Sequence, residues 1–192
     1  MFDLIFNPEW WAAQVSALAR ALLPFVLAAF RSGYGSAAAA IGVSLDLSNE
    51  AAEAFARQYA FQRAGMITLT TRAYLQQTFG DWIASGAPLS ELEATLIQSG
   101  YFSENRANII AVTETTQIFA EANIQAWRES GVVTAKVWMT AQDDLVCPIC
   151  EPLSGTTVAL EANGFTTEVG DLGLFAPPAH ARCRCWLKPV TQ

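Results

Sequence analysis

Cysteine and histidine are scarce in this chain, four and one in 192 residues, and all five lie between positions 147 and 185. They form two clusters, "CPIC" at 147–150 and "HARCRC" at 180–185, so the pattern is Cys147-x2-Cys150, a long spacer, then His180-x2-Cys183-x-Cys185. Thiolates and imidazole nitrogens are the ligands a tetrahedral zinc ion takes, commonly as a two-cysteine knuckle plus a second pair from a distant segment. Pro148, Pro177 and Pro178 stiffen the approaches to both halves. Five candidates compete for four positions. Cys147 and Cys150 belong together; His180 with Cys183 ranks first as the second pair, and Cys185 is the substitute. A structural Zn2+ site is therefore expected. Two other chemistries fit the same residues. One or two disulfides need an oxidising compartment, and Asp3 and Glu9 stand where a secretory leader would carry positive charge. A redox or nucleophilic cysteine needs a strand leading into a helix, whereas Pro152, Ser154 and Gly155 read as loop.

Other ionisable groups offer less. Asp143 and Asp144 are adjacent and read as a turn. Glu114 and Glu121 are expected on a solvated helix face, and no glycine-rich phosphate loop or nucleophile elbow is present. Neither an enzyme nor a small-molecule substrate is expected. The net charge of −7 argues against a broad nucleic-acid surface. Arg182, Arg184 and Lys188 form one local basic spot, read as solvated charges beside a turn.

The elements that position these residues change character along the chain. Up to about residue 130 it is alanine-rich with helical periodicity, predicting helices at 9–31, 49–63, 65–84, 89–99 and 104–129. "SGYGS" at 32–36 reads as a breaker, Asn49 as a cap, Ser90 with Glu93 as a capping box, and Gly86, Gly100 and Gly131 as helix terminators. The last helix places Ile109, Val112, Phe119, Ala120, Ile124 and Trp127 on one face. Strands are expected at 135–141, 156–160 and 183–190, with Pro189 at an edge or strand end. The fold class is α+β: a mostly helical N-terminal two-thirds, then a small β-rich module pinned by the Cys/His zinc site. Residues 1–100 form a helical docking part and 101–192 the module. The apolar first helix carries Gln14, Arg20 and Pro24, so a membrane span is not expected. Its Trp10, Trp11, Leu22, Phe25 and Phe30 are candidates for docking another protein.

"VWMTAQDDLVCPICEPLSGTTVAL", followed by "APPAHARCRCWLKPV", resembles the C-terminal part of the phage Mu F-like head morphogenesis proteins, also called minor head or minor capsid proteins. The matching positions are Trp138, Thr140, Asp143, Cys147, Cys150, Leu153, Gly155, Pro178, His180, Cys183, Arg184 and Cys185. Upstream, Thr113, Glu114 and Asn123 also match, and Val112 stands where the family usually carries arginine. The resemblance covers roughly residues 100 to 190. It implies a virion protein carried inside the head of a tailed bacteriophage, present in the host cytoplasm during assembly. It would act near the portal in head morphogenesis, genome packaging or delivery. Its partners would be portal, capsid or scaffold proteins, with packaged DNA nearby. Some such modules end toxins, so an effector enzyme, or a zinc-dependent adaptor, is the alternative.

Overall fold

The computed structural model describes residues 7–45, 49–101, 103–141, 143–162, 164–167 and 170–192. Among these are four α-helices, α1 (Pro8–Ala40), α2 (Asn49–Ser85), α3 (Leu89–Gln98) and α4 (Glu104–Ser130). Five strands follow, β1 (Val133–Met139), β2 (Thr157–Ala159), β3 (Phe165–Thr167), β4 (Gly170–Leu174) and β5 (Trp186–Thr191). The architecture is α+β, helices first and a small β module after. The chain divides into two compact units, Met1–Val26 with Glu53–Asn108, and Leu27–Ala52 with Ile109–Gln192.

Two expected breaks are absent. The segment "SGYGS" continues α1 to Ala40 instead of ending it. Phe30, Gly33, Tyr34, Ala37 and Ala38 are buried there at helical spacing. A Cβ on Gly33 would lie 3.0 Å from Ala122 Cβ and 3.2 Å from Phe119 Cα, so the glycine lets α1 and α4 approach closely. The Tyr34 hydroxyl donates to the Glu129 carboxylate of α4. Packing thus outweighs the roughly 1 kcal/mol that a helical glycine costs. Likewise α2 runs unbroken past Ala64, because Ala52, Ala56, Ala60, Ala64 and Thr68 form one buried row at four-residue spacing.

At α3 the expected capping box is replaced by Pro88 in the N-cap position, with no side-chain cap bond, and Ser90 already lies inside the helix. The side chain of Asn49 lies outside the described residues. Gly86, Gly100 and Gly131 follow their helices in left-handed conformation, with φ of 65°, 70° and 65°. Within the first unit, Arg106 bonds the hydroxyls of Thr70 and Thr71, and its guanidinium lies 4.5 Å from the centre of the Tyr101 ring. Tyr101 in turn stacks on Tyr74.

In the second unit α4 buries Ile118, Ala120, Ala122, Ile124, Ala126 and Trp127, a wider band than one stripe. Glu114 and Glu121 are half-buried, not on a solvated face. The sheet order is β2–β1–β5, all antiparallel, with Trp138 opposite Leu187 and Lys136 opposite Pro189. Pro189 therefore sits on an edge strand, where its missing N–H is tolerated. Lys136, Trp138 and Leu187 are buried, while Val137 and Met139 are only half-buried. A second, two-stranded sheet pairs β3 with β4, a hairpin the sequence did not announce.

Candidate metal centre

The first knuckle is a tight turn after β1. The N–H groups of Cys150 and Glu151 both donate to the Cys147 carbonyl at 3.0 Å. Asp143 shapes the approach, its Oδ1 accepting the Leu145 N–H at 3.0 Å, which is the turn expected there. Beyond Cys150 a 3-10 turn, Glu151–Leu153, anchors the knuckle through fully buried Leu153.

The second half is held by α4. The Thr116 hydroxyl donates to the Cys183 carbonyl at 2.8 Å. Thr113 accepts the Arg182 N–H at 2.9 Å while donating to the Ile109 carbonyl of its own helix at 2.6 Å. Arg182 adopts a left-handed φ of 62°, turning the chain so that Cys183 faces inward. With its carbonyl committed to Thr116, Cys183 does not join the sheet, and β5 begins three residues later than expected. The Arg184 guanidinium then forks onto Asp143 at 2.6 and 2.8 Å, tying the two halves together. Thr116 was not singled out in the sequence. Its signal is the three-residue spacing from Thr113, which puts both hydroxyls on one helix face.

All four cysteines are free thiols. The Cys147 and Cys150 sulfurs lie 3.0 and 3.3 Å from His180 Nε2, and those of Cys150 and Cys183 are 3.8 Å apart. Two overlapping groups of potential ligands result, Cys147–Cys150–His180 and Cys150–Cys183–Cys185, each with its ligand atoms within 4.8 Å of one another. Both groups could hold a metal ion, and Cys150 belongs to both. A disulfide would require sulfurs at about 2.05 Å. The Cys150–Cys183 separation instead matches the edge of a tetrahedron with metal–sulfur bonds of about 2.3 Å. His180 Nδ1 lies 2.7 Å from the Ala181 carbonyl, which can only accept, so Nδ1 carries the proton and Nε2 keeps its lone pair toward the sulfurs.

The thiols are not equivalent. The Cys185 thiol donates to Cys183, and against the effect of burial this holds Cys183 down to about 5. Burial pushes Cys150 up to about 12. Donation to Cys183, then burial, pushes Cys185 up as well. Burial opposes ionisation of Cys147, but hydrogen bonds from the Cys150 and Ile149 backbone and the Cys150 side chain hold it below the ordinary thiol value. His180 is raised: burial works against its charge, and the Ala181 carbonyl and the sulfurs of Cys147 and Cys183 outweigh it.

Of the N-terminal candidates, Trp10 and Trp11 meet edge-on at 4.8 Å between ring centres. Trp11 and Phe30 are buried, at 6% and 0% exposure, Trp10 and Leu22 are half-buried, and Phe25 is 73% exposed. By length and composition α1 could cross a membrane: its most apolar 18-residue window has a mean hydropathy of 1.6, and 11% of it is buried.

The family model for phage Mu protein F like protein matches residues 74–188, more than half of the chain. The chain belongs to this phage Mu protein F like family. The matched stretch begins within α2 and ends in β5, so it includes every residue of the Cys/His cluster. No curated protein and no solved structure matches the chain.

Proposed function

We propose that this chain is a minor head protein of a tailed bacteriophage, acting in head morphogenesis and in genome packaging or delivery near the portal. Membership of the phage Mu protein F like family carries this reading. In it the protein is a structural component and not an enzyme, made in the host cytoplasm and carried in the virion. Its partners are portal, capsid or scaffold proteins, with packaged DNA nearby. The helical part up to about residue 100 serves docking. Support for docking through α1 comes from its largely exposed apolar surface, with Phe25 the most open of the five side chains named.

Within the C-terminal module, Cys147, Cys150, His180 and Cys183 are the proposed ligands of a structural Zn2+. Cys185, grouped by position with Cys150 and Cys183, is the substitute for the fourth ligand. Bound zinc would supply a rigid tetrahedral link between two segments that lie about thirty residues apart, and so contribute to folding.

Metal analysis of the purified protein tests the site. One zinc equivalent is expected in the parent and in Cys185→Ser, and loss of it in Cys183→Ser. No zinc in the parent rejects the site, and the reverse pattern in the variants exchanges the roles of the two cysteines. The assembly role is tested separately by assaying purified particles for this protein; its absence from both particles and assembly intermediates rejects it.

A further inference from the structure

The five ligand candidates do not close on a single point. Their ligand atoms form two triangles that share a corner at Cys150. In the first, the Cys147 and Cys150 sulfurs lie 3.0 and 3.3 Å from His180 Nε2. In the second, Cys150 is 3.8 Å from Cys183, and Cys185 completes a set whose sulfurs all lie within 4.8 Å of one another. Each group stops at three among the described residues. A small cavity of about 30 Å³ reaches both triangles, with Cys147, Cys150 and His180 on its wall together with Cys185.

A tetrahedral zinc ion uses four of these atoms and leaves one thiol over. The surplus thiol is no stray surface residue. Cys185 is 7% exposed, and it is set by the same short segment, from the left-handed turn at Arg182 to the start of β5, that sets Cys183. The Trp138 indole N–H is fully buried and has no hydrogen-bond partner among the described residues. A thiolate at Cys185 supplies the acceptor it lacks.

Three sulfurs in a plane around one ion, at bonds of about 2.3 Å, lie about 4 Å apart. The Cys150–Cys183 edge of 3.8 Å fits that triangle as well as it fits a tetrahedron. Thiolates are soft ligands that select copper(I), an ion content with three donors, and a thiolate has lone pairs enough to bridge two such ions. The geometry points to a second occupancy of this cluster: two copper(I) ions, one on Cys147, Cys150 and His180 and one on Cys150, Cys183 and Cys185, joined through the Cys150 sulfur. It rests on the reading of the cluster as a metal centre and adds a second class of ion, with Cys185 a ligand in its own right. Each thiol gives up its proton to the buffer on binding, and no electrons move. All three thiols of the second triangle are buried, which keeps water from the fourth position that zinc would require there.

Anaerobic titration of the metal-free full-length protein with copper(I), supplied as its acetonitrile complex against a colorimetric chelator, tests this. The parent should bind two equivalents and, once filled, show a short copper–copper vector in X-ray absorption. Cys185→Ser and Cys147→Ser should each bind one, on opposite triangles. Saturation of the parent at one equivalent, two equivalents without a copper–copper vector, or a count other than one in either variant would overturn the paired site. Zinc is assayed on the same preparations. One zinc with one copper(I) in the parent sinks the pair alone, and two copper(I) with no zinc sinks the zinc reading alone.

Discussion

Thr113 and Thr116 set the backbone of the second cysteine cluster, although neither is a ligand candidate. Thr116 reaches the Cys183 carbonyl directly, and Thr113 receives the N–H of Arg182. Groups that orient ligands typically change metal affinity by about 10- to 100-fold when lost. Thr116→Val keeps the shape and removes the hydroxyl, so it should leave the helix intact and release zinc to a competing chelator about tenfold faster. Equal release rates in parent and variant would show that the loop holds its form without this bond. The ligand candidates themselves were legible, since cysteine and histidine are rare here and their spacing is informative. Thr116 and Lys136 were not. A threonine in an amphipathic helix and a lysine in a strand look ordinary until the fold shows what each one faces.

Helix α1 shows how far local propensity reaches. Gly33 and Gly35 lie two residues apart in the segment that reads as a breaker, yet their surroundings differ. A Cβ at Gly33 would press on Ala122 and on the Phe119 backbone, whereas nothing lies within 4 Å of one at Gly35. Gly35→Ala should therefore stabilise the protein by up to about 1 kcal/mol, the usual gain inside a helix. Gly33→Ala should do the opposite, since the neighbour it meets includes backbone that cannot turn aside. Expected losses are on the order of 1 kcal/mol or more. Thermal unfolding of the two variants gives shifts of opposite sign if this holds; two stabilising shifts would mean that α1 and α4 adjust freely. The strands followed the same rule. Alternation placed β1 and β5 to within a few residues, but β3 has only three residues and β4 carries two glycines, so neither shows the alternation that would mark a strand in the sequence.

For the molecule as a whole, the Cys/His cluster joins segments 147–150 and 180–185, and β2 and the β3–β4 hairpin lie between them in sequence. Chelation should consequently loosen the β module while most helical signal persists. Near-ultraviolet circular dichroism from Trp138 and Trp186 should collapse, with far-ultraviolet helicity largely retained and both restored by added zinc. Acid should act in the same direction: protons compete for the thiolates, so metal retention should weaken as pH falls. Unchanged near-ultraviolet spectra after complete metal removal would show that packing alone holds the module. The sequence by itself determined the fold class, the five candidate ligands and the family, because these rest on residue type and short-range spacing. Only the tertiary structure decided that α1 and α2 run through their glycines and that Trp11 and Phe30 turn inward. It also decided that Cys150 belongs to both ligand groups and that Lys136 lies buried in the middle strand of the sheet. Each of these depends on what a distant segment brings to the same place, and spacing along one chain carries no record of that.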